Sequence, residues 1–186
     1  MLLSTHITER LKITSKSKSA STVRTIKPET KFDLQVAIRV ELRKQGPDAD
    51  LNHIDVSEIE DMSSLFKNCK IRNIKIDEWD VSNVTNMAGM FPQCKEFNCD
   101  LSNWDVRNVK NMRRMFYFCE NFESDLSRWK TSKVEDMNGM FMFCRKLKCD
   151  LSGWDVSKVA DNEDIFVGCR QMYDNPQLQP KFIQYK

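Results

Sequence analysis

The stretch LSNWDVRNVKNMRRMFYFC, Leu101 to Cys119, places Trp104, Val106, Val109, Met112, Met115, Phe116 and Cys119 in an order that suits neither one face of a helix nor an alternating strand. Its meaning lies outside it. Tryptophan occurs at 79, 104, 129 and 154, a spacing of 25 each time, and these are all the tryptophans in the chain. The same register carries Val84, Val109, Val134 and Val159, then Met62, Met87, Met112 and Met137. Met90, Met115 and Met140 follow, with Leu65 and Ile165 at the ends of that column. Phe66, Phe91, Phe116, Phe141 and Phe166 come next, and Cys69, Cys94, Cys119, Cys144 and Cys169 close five successive units. A fixed period of this size predicts units too small to bury their own apolar faces, stacked one on the next as a solenoid.

Within a unit the spacing predicts a short strand around FNCDLS (Phe97 to Ser102), a turn at Asn103 to Asp105, and a helical turn across NMRRMFYF, where Met112, Met115 and Phe116 fall at i, i+3 and i+4. Strands of successive units are expected to pair in parallel, about 4.8 Å apart. Seven of the ten methionines sit in the two methionine columns, where an unbranched side chain fills irregular gaps.

The 186 residues are 40% hydrophobic and 30% charged with a net charge of +2, which suits one domain with a true core. Residues 1–27 hold six basic side chains (Arg10, Lys12, Lys16, Lys18, Arg24, Lys27) against Glu9, so the remainder is mildly acidic. Residues 1–29 are expected as a flexible basic arm, with a brief helical turn possible around Ile7 and Leu11, because the Ser/Thr/Lys-rich remainder buries too little to order itself. In residues 30–53, Thr30 and Asp33 resemble a capping box, Leu34, Ile38 and Leu42 share a helical face, and Gly46-Pro47 stop it. That predicts a helix of about 12 residues covering the open end of the stack. Repeats are expected over 54–175, and Pro176 and Pro180 mark 176–186 as a C-terminal cap. No run of 18 apolar residues exists, and the start MLLSTHITERLK lacks the apolar core of a secretory signal, so no membrane span and no export by that route are expected.

The segments FNCDLSNWDVRNVKNMRRMF and CDLSGWDVSKVADNEDIF, with EWDVSNVTNMAGMF at Glu78 to Phe91, resemble the repeat of the BspA-like leucine-rich-repeat surface protein family. DLNHIDVSEIEDMSSLF (Asp50 to Phe66) resembles a degenerate first repeat, and the likeness covers about 30–175. The resemblance implies a leucine-rich-repeat-like solenoid without known catalysis, with roles in adhesion or protein binding, in bacteria and their viruses. Unlike in the large surface members, neither a signal nor an anchor is expected here, which leaves a cytoplasmic or virion-associated location as the expectation.

His6 and His53 assemble no nucleophilic or phosphate-binding motif around them, so the chain is read as no enzyme. Seven cysteines lack the paired spacing of zinc sites and read as a ladder of small buried thiols, all expected free, with no metal or cofactor. Asp55, Asp80, Asp105 and Asp155 share one register and Asp100, Asp125 and Asp150 another. Hydrogen bonds from turn N–H groups are the expected compensation; a calcium row is the alternative, and Lys130 in mid-ladder argues against it.

Between phenylalanine and cysteine, only units three and four place two bulky apolar groups: Tyr117-Phe118 and Met142-Phe143. Unit three adds Arg107, Lys110, Arg113 and Arg114, and Lys130 and Lys133 of unit four extend the charge. Aromatic groups ringed by arginine have the composition of a binding patch for an acidic protein surface or a glycan. Mutual packing and a solvated face are the plainer alternative. Nucleic acid is disfavoured, since the body carries no continuous basic footprint. The expected function is a non-catalytic protein-binding or adhesion module, monomeric or within a larger assembly. The alternative is a structural or decoration component of a bacterial or phage assembly, tethered by its basic arm.

Overall fold

The computed structural model describes residues 12–18 and 21–182. Thr30 begins its longest regular element. The Thr30 side-chain oxygen accepts from the Asp33 N–H at 3.1 Å and caps helix α1, Lys31–Gln45. Gly46, at φ 84°, ends it and returns its N–H to the Leu42 carbonyl at 2.9 Å. Leu34, Ala37 and Ile38 of α1 are buried against the first unit, and Lys31 Nζ reaches Asp61 Oδ2 at 3.0 Å. Behind α1, Asp48 accepts from Arg72 Nε at 2.8 Å; this pairing and the Asn73 N–H hold its carboxyl at about 2.

The expectation of a leucine-rich-repeat-like solenoid, with short parallel strands and a helical turn in each unit, is overturned. Between residues 50 and 169 there is no strand and no α-helix; the backbone makes only isolated bridges such as Asn86↔Asn111 and Asn111↔Asp136. Two physical causes account for this. First, each unit is a succession of turns: in unit three the N–H groups of Trp104, Val109, Met115 and Cys119 reach the carbonyls of Leu101, Val106, Met112 and Phe116 at 2.9–3.1 Å, three residues back. The Met–Phe limb cannot continue as a helix because Arg114 (φ 51°) and Phe118 (φ 59°) are in the left-handed region and reverse the chain. Second, where the strand Phe97–Ser102 is expected, side chains replace the ladder: the Leu101 N–H donates to Ser124 Oγ at 2.9 Å and the Leu126 N–H to Cys149 Sγ at 3.2 Å.

What the 25-residue period does specify is register between turns. Trp79 and Trp104 stack at 6.4 Å and 7°, and Trp129 and Trp154 at 6.2 Å and 5°. Phe66, Phe91, Phe116, Phe141 and Phe166 stack in order at 5.0–5.9 Å. Each indole N–H donates to a carbonyl of the preceding turn: Trp79, Trp104, Trp129 and Trp154 to Leu51, Ile76, Leu101 and Leu126 at 2.9–3.0 Å. The core is therefore a pile of aromatic and methionine columns with no cross-strand pairs.

The only sheet among the described residues is a hairpin, β1 (Lys12–Lys18) and β2 (Ser21–Lys27), antiparallel with Lys12 opposite Lys27. It stands where a flexible arm is expected, and it joins the first unit through Ile26, whose N–H reaches the His53 carbonyl at 3.0 Å. The helical turn expected around Ile7 and Leu11 lies outside the described residues. After the last unit, helix α2 (Arg170–Tyr173) and a 3-10 turn (Pro176–Leu178) fold back, and the Leu178 carbonyl accepts from the Leu151 N–H at 2.8 Å. No helix of the described residues is long and apolar enough to cross a membrane.

Candidate functional site

Tyr117 and Phe118 follow Phe116 directly, so the column that buries Phe116 pushes them to the edge of the pile, where both are half-buried. Their rings meet edge-on at 4.6 Å and 72°, and Phe118 lies 4.3 Å from Phe143 of the next unit. Phe143 in turn lies across Gly168: a Cβ there would stand 2.4 Å from the Phe143 ring. Gly168, at φ 75°, is thus required by its conformation and by the approach of the ring. Met142 is half-buried beside Gly139, and the Arg114 side chain crosses the same glycine before its guanidinium reaches the Tyr117 ring at 5.6 Å. Arg114, Tyr117, Phe118, Met142 and Phe143 therefore form one ledge.

The remaining basic residues do not join it. Arg113 Nη1 is 3.3 Å from Asp161 Oδ2 and 3.9 Å from Asp136 Oδ2, spanning two units. Arg107 is engaged by Asp105 at 2.6 Å, a pairing that holds the Asp105 carboxyl below its ordinary range. Lys133 donates to Asn108 at 2.7 Å. Lys110 is exposed, and its side chain has no partner among the described residues. The surface is consequently more aromatic and less basic than its sequence suggests, with Arg114 as the one cation on the rings among the described residues.

Sequence reasoning missed the conformation of this ledge. The residue before each closing cysteine has positive φ in all five units: Asn68 (64°), Gln93 (60°), Phe118 (59°), Phe143 (63°) and Gly168 (75°). Asn68 and Gly168 were the available signal, since both types favour that region.

Both aspartate registers take the turn role. Asp55, Asp80, Asp105 and Asp155 accept from the N–H two residues on at 3.0–3.2 Å, and Asp100, Asp125 and Asp150 do so at 2.9–3.0 Å. An open cleft of about 540 Å³ between units three and four is lined by Asn98, Asp100, Glu123, Asp125 and Arg128. Among the described residues no group of three His, Cys, Asp or Glu side chains could hold a metal. His53 lies 3.9 Å from Glu41 at the α1 junction, and His6 is outside the described residues.

The thiols line the interior. Sγ of Cys119, Cys144 and Cys169 faces the carbonyls of Phe91, Phe116 and Phe141 at 3.0, 3.0 and 2.5 Å. Burial pushes Cys94 up to about 12 and Cys99 and Cys149 to about 11, while Cys69 is half-buried. Since the thiolate is the nucleophile, iodoacetamide at pH 8 should modify Cys69 first and these three at least about 100-fold more slowly than an ordinary thiol. Peptide mapping by mass spectrometry checks this, and equal rates at all sites would show the columns to be open.

A protein-family model described as a Mycoplasma protein of unknown function, DUF285, matches residues 40–129 and again 103–179. The chain belongs to this family. The two matches overlap over residues 103–129, in units three and four, and together they cover every closing cysteine from Cys69 to Cys169. No curated protein and no solved structure matches the chain.

Proposed function

We propose that this DUF285 protein is a non-catalytic binding module of the adhesion type, which presents Tyr117, Phe118, Met142 and Phe143 to a protein partner. Arg114, with Lys110 nearby in sequence, meets acidic groups on that partner. One observation carries the reading. Phenylalanine twice occupies a left-handed position that unit one fills with asparagine and unit five with glycine. A bulky residue there costs about 1–2 kcal/mol each. Both rings are partly buried, but against each other and Gly168 and not against the core, so the core gains little in return. Strain kept where packing does not need it points to recognition. The resemblance of the repeats to BspA-like surface proteins supports the same class of function.

The test replaces each ring by the residue its column tolerates. Phe118→Asn with Phe143→Asn should leave thermal stability within about 1 kcal/mol of the parent, because relief of strain offsets the lost ring contact. Capture of the protein partner should fall at least about tenfold, the scale of a lost aromatic anchor. Undiminished capture by the double variant would remove the ledge from the function.

A second reading, a decoration component of a bacterial or phage assembly tethered by residues 1–29, draws on the six basic side chains of residues 1–27. Co-purification with a particle that depends on those residues would favour it.

A further inference from the structure

Units one to four each hand hydrogen bonds to the next from alternate residues of the Met–Phe limb. In unit two the N–H groups of Met87, Gly89, Phe91 and Gln93 reach the carbonyls of Asn111, Arg113, Met115 and Tyr117 at 2.7–2.9 Å. In unit three Met112, Arg114, Phe116 and Phe118 reach Asp136, Asn138, Met140 and Met142 at 2.8–2.9 Å. In unit four Met137, Gly139, Phe141 and Phe143 reach Asp161, Glu163, Ile165 and Val167 at 2.7–3.1 Å. The corresponding residues of unit five are Asn162, Asp164, Phe166 and Gly168. None of their N–H groups has a partner among the described residues. No carbonyl of the described tail residues accepts from these four, and the Leu178 carbonyl serves Leu151 on the opposite limb. Exposure agrees: Phe166 is 7% exposed where Phe116 and Phe141 are 0%, and Val167 is 42% exposed.

We infer that this open end is a docking edge for a basic, extended segment of a partner polypeptide, which adds its backbone to unit five as unit five adds to unit four. A row of unpaired donors on alternate residues is a template for chain addition. The ligand must offer acceptors at i, i+2, i+4 and i+6, as Asp161, Glu163, Ile165 and Val167 do toward unit four. Its charge follows from the rim. Glu163 and Asp164 are exposed beside the donors, which repels an anion and favours lysine or arginine. A second copy fits poorly at either end. Tail against tail sets donors against donors, and the far end of the pile is covered by α1 through Leu34, Ala37, Ile38 and the Lys31–Asp61 pair. The edge adjoins the aromatic ledge at Gly168, which the Phe143 ring crosses, but its other three donors, at Asn162, Asp164 and Phe166, carry no ledge residue.

The test is amide hydrogen exchange on the full chain with a synthetic nine-residue peptide alternating lysine and valine, and with its glutamate–valine counterpart. Without peptide, the amides of Asp164 and Phe166 should exchange faster than those of Gly139 and Phe141. The lysine peptide should slow them at least about tenfold, and the glutamate peptide should not. Glu163→Gln with Asp164→Asn, where asparagine suits the φ of 59° at 164, should reduce that protection. Absence of protection by the lysine peptide, equal protection by both peptides, or protection retained in full by the double variant would each overturn the inference. So would protection that rises with protein concentration alone, which would assign the edge to a second copy.

Discussion

Phe116→Ala is expected to lower stability by about 3–5 kcal/mol, the range for removing a buried aromatic side chain. The upper part of that range applies here because the ring is surrounded by other rings. It is fully buried and stacks on Phe91 at 5.6 Å and Phe141 at 5.6 Å, on Phe122 at 4.2 Å, and tilts against Trp129 at 6.4 Å. Those neighbours cannot close the gap, because each is held in its own turn by backbone bonds such as Phe91 N–H to Met115 O and Phe116 N–H to Met140 O, both 2.9 Å. A cavity that cannot collapse carries the full penalty. Phe166→Ala is the internal control: it keeps one stacked neighbour, Phe141 at 5.9 Å, and is already partly exposed, so about half the loss is expected. Urea unfolding of both variants measures the difference. A loss below about 1.5 kcal/mol for Phe116→Ala would mean that the phenylalanine column is not what the turns pack around.

Why the columns were legible and the backbone between them was not has a physical explanation. Trp104, Val109, Met112, Phe116 and Cys119 repeat because each must meet its own kind above and below, and a packing constraint repeated along a pile is written directly in residue type. Dihedral angles are not. The i, i+3, i+4 set Met112, Met115 and Phe116 reads as a helical turn, yet Arg114 between them is at φ 51°, in a column where units two and four carry Gly89 and Gly139. Reading that column down the units, instead of along the chain, would have exposed the reversal. The hairpin was hidden by composition: STVRTIK carries the β-branched Thr22, Val23, Thr25 and Ile26, but the serine- and lysine-rich sequence around them outweighed that signal. Thr131 sits in the column of Val81, Val106 and Val156, buried at 1%, and donates its hydroxyl to the Asp155 carbonyl at 2.9 Å. Nothing in residue type announces that partner. At the ledge, Tyr117, Phe118, Met142 and Phe143 were visible as departures from the repeat. The fate of Arg113 was not, since Asp161 lies 48 residues away and meets it only because two turns separate them.

Trp129→Ala should also cost about 3–5 kcal/mol, and Trp129→Phe about 1 kcal/mol, which separates the ring from its hydrogen bond. The indole is 3% exposed, stacks on Trp154 at 6.2 Å, tilts against Phe116 at 6.4 Å, and donates to the Leu101 carbonyl at 2.9 Å. Loss of the donor alone is mild because the same carbonyl also accepts the Trp104 N–H at 3.1 Å and is not left unpaired. Loss of the ring forfeits an aromatic surface of about 150–250 Å², worth about 4–6 kcal/mol at ~25 cal/mol per Å² as an upper bound. Packing therefore outweighs the hydrogen bond by several fold at this position. Lys130 follows directly and breaks the aspartate register, so unit four lacks the turn bond that Asp105 makes to Arg107 at 3.2 Å. With that local support missing, the indole does more to hold its turn, and Trp129→Ala should exceed Trp154→Ala. Equal losses for the alanine and phenylalanine variants of Trp129 would show instead that the carbonyl contact is what holds the column.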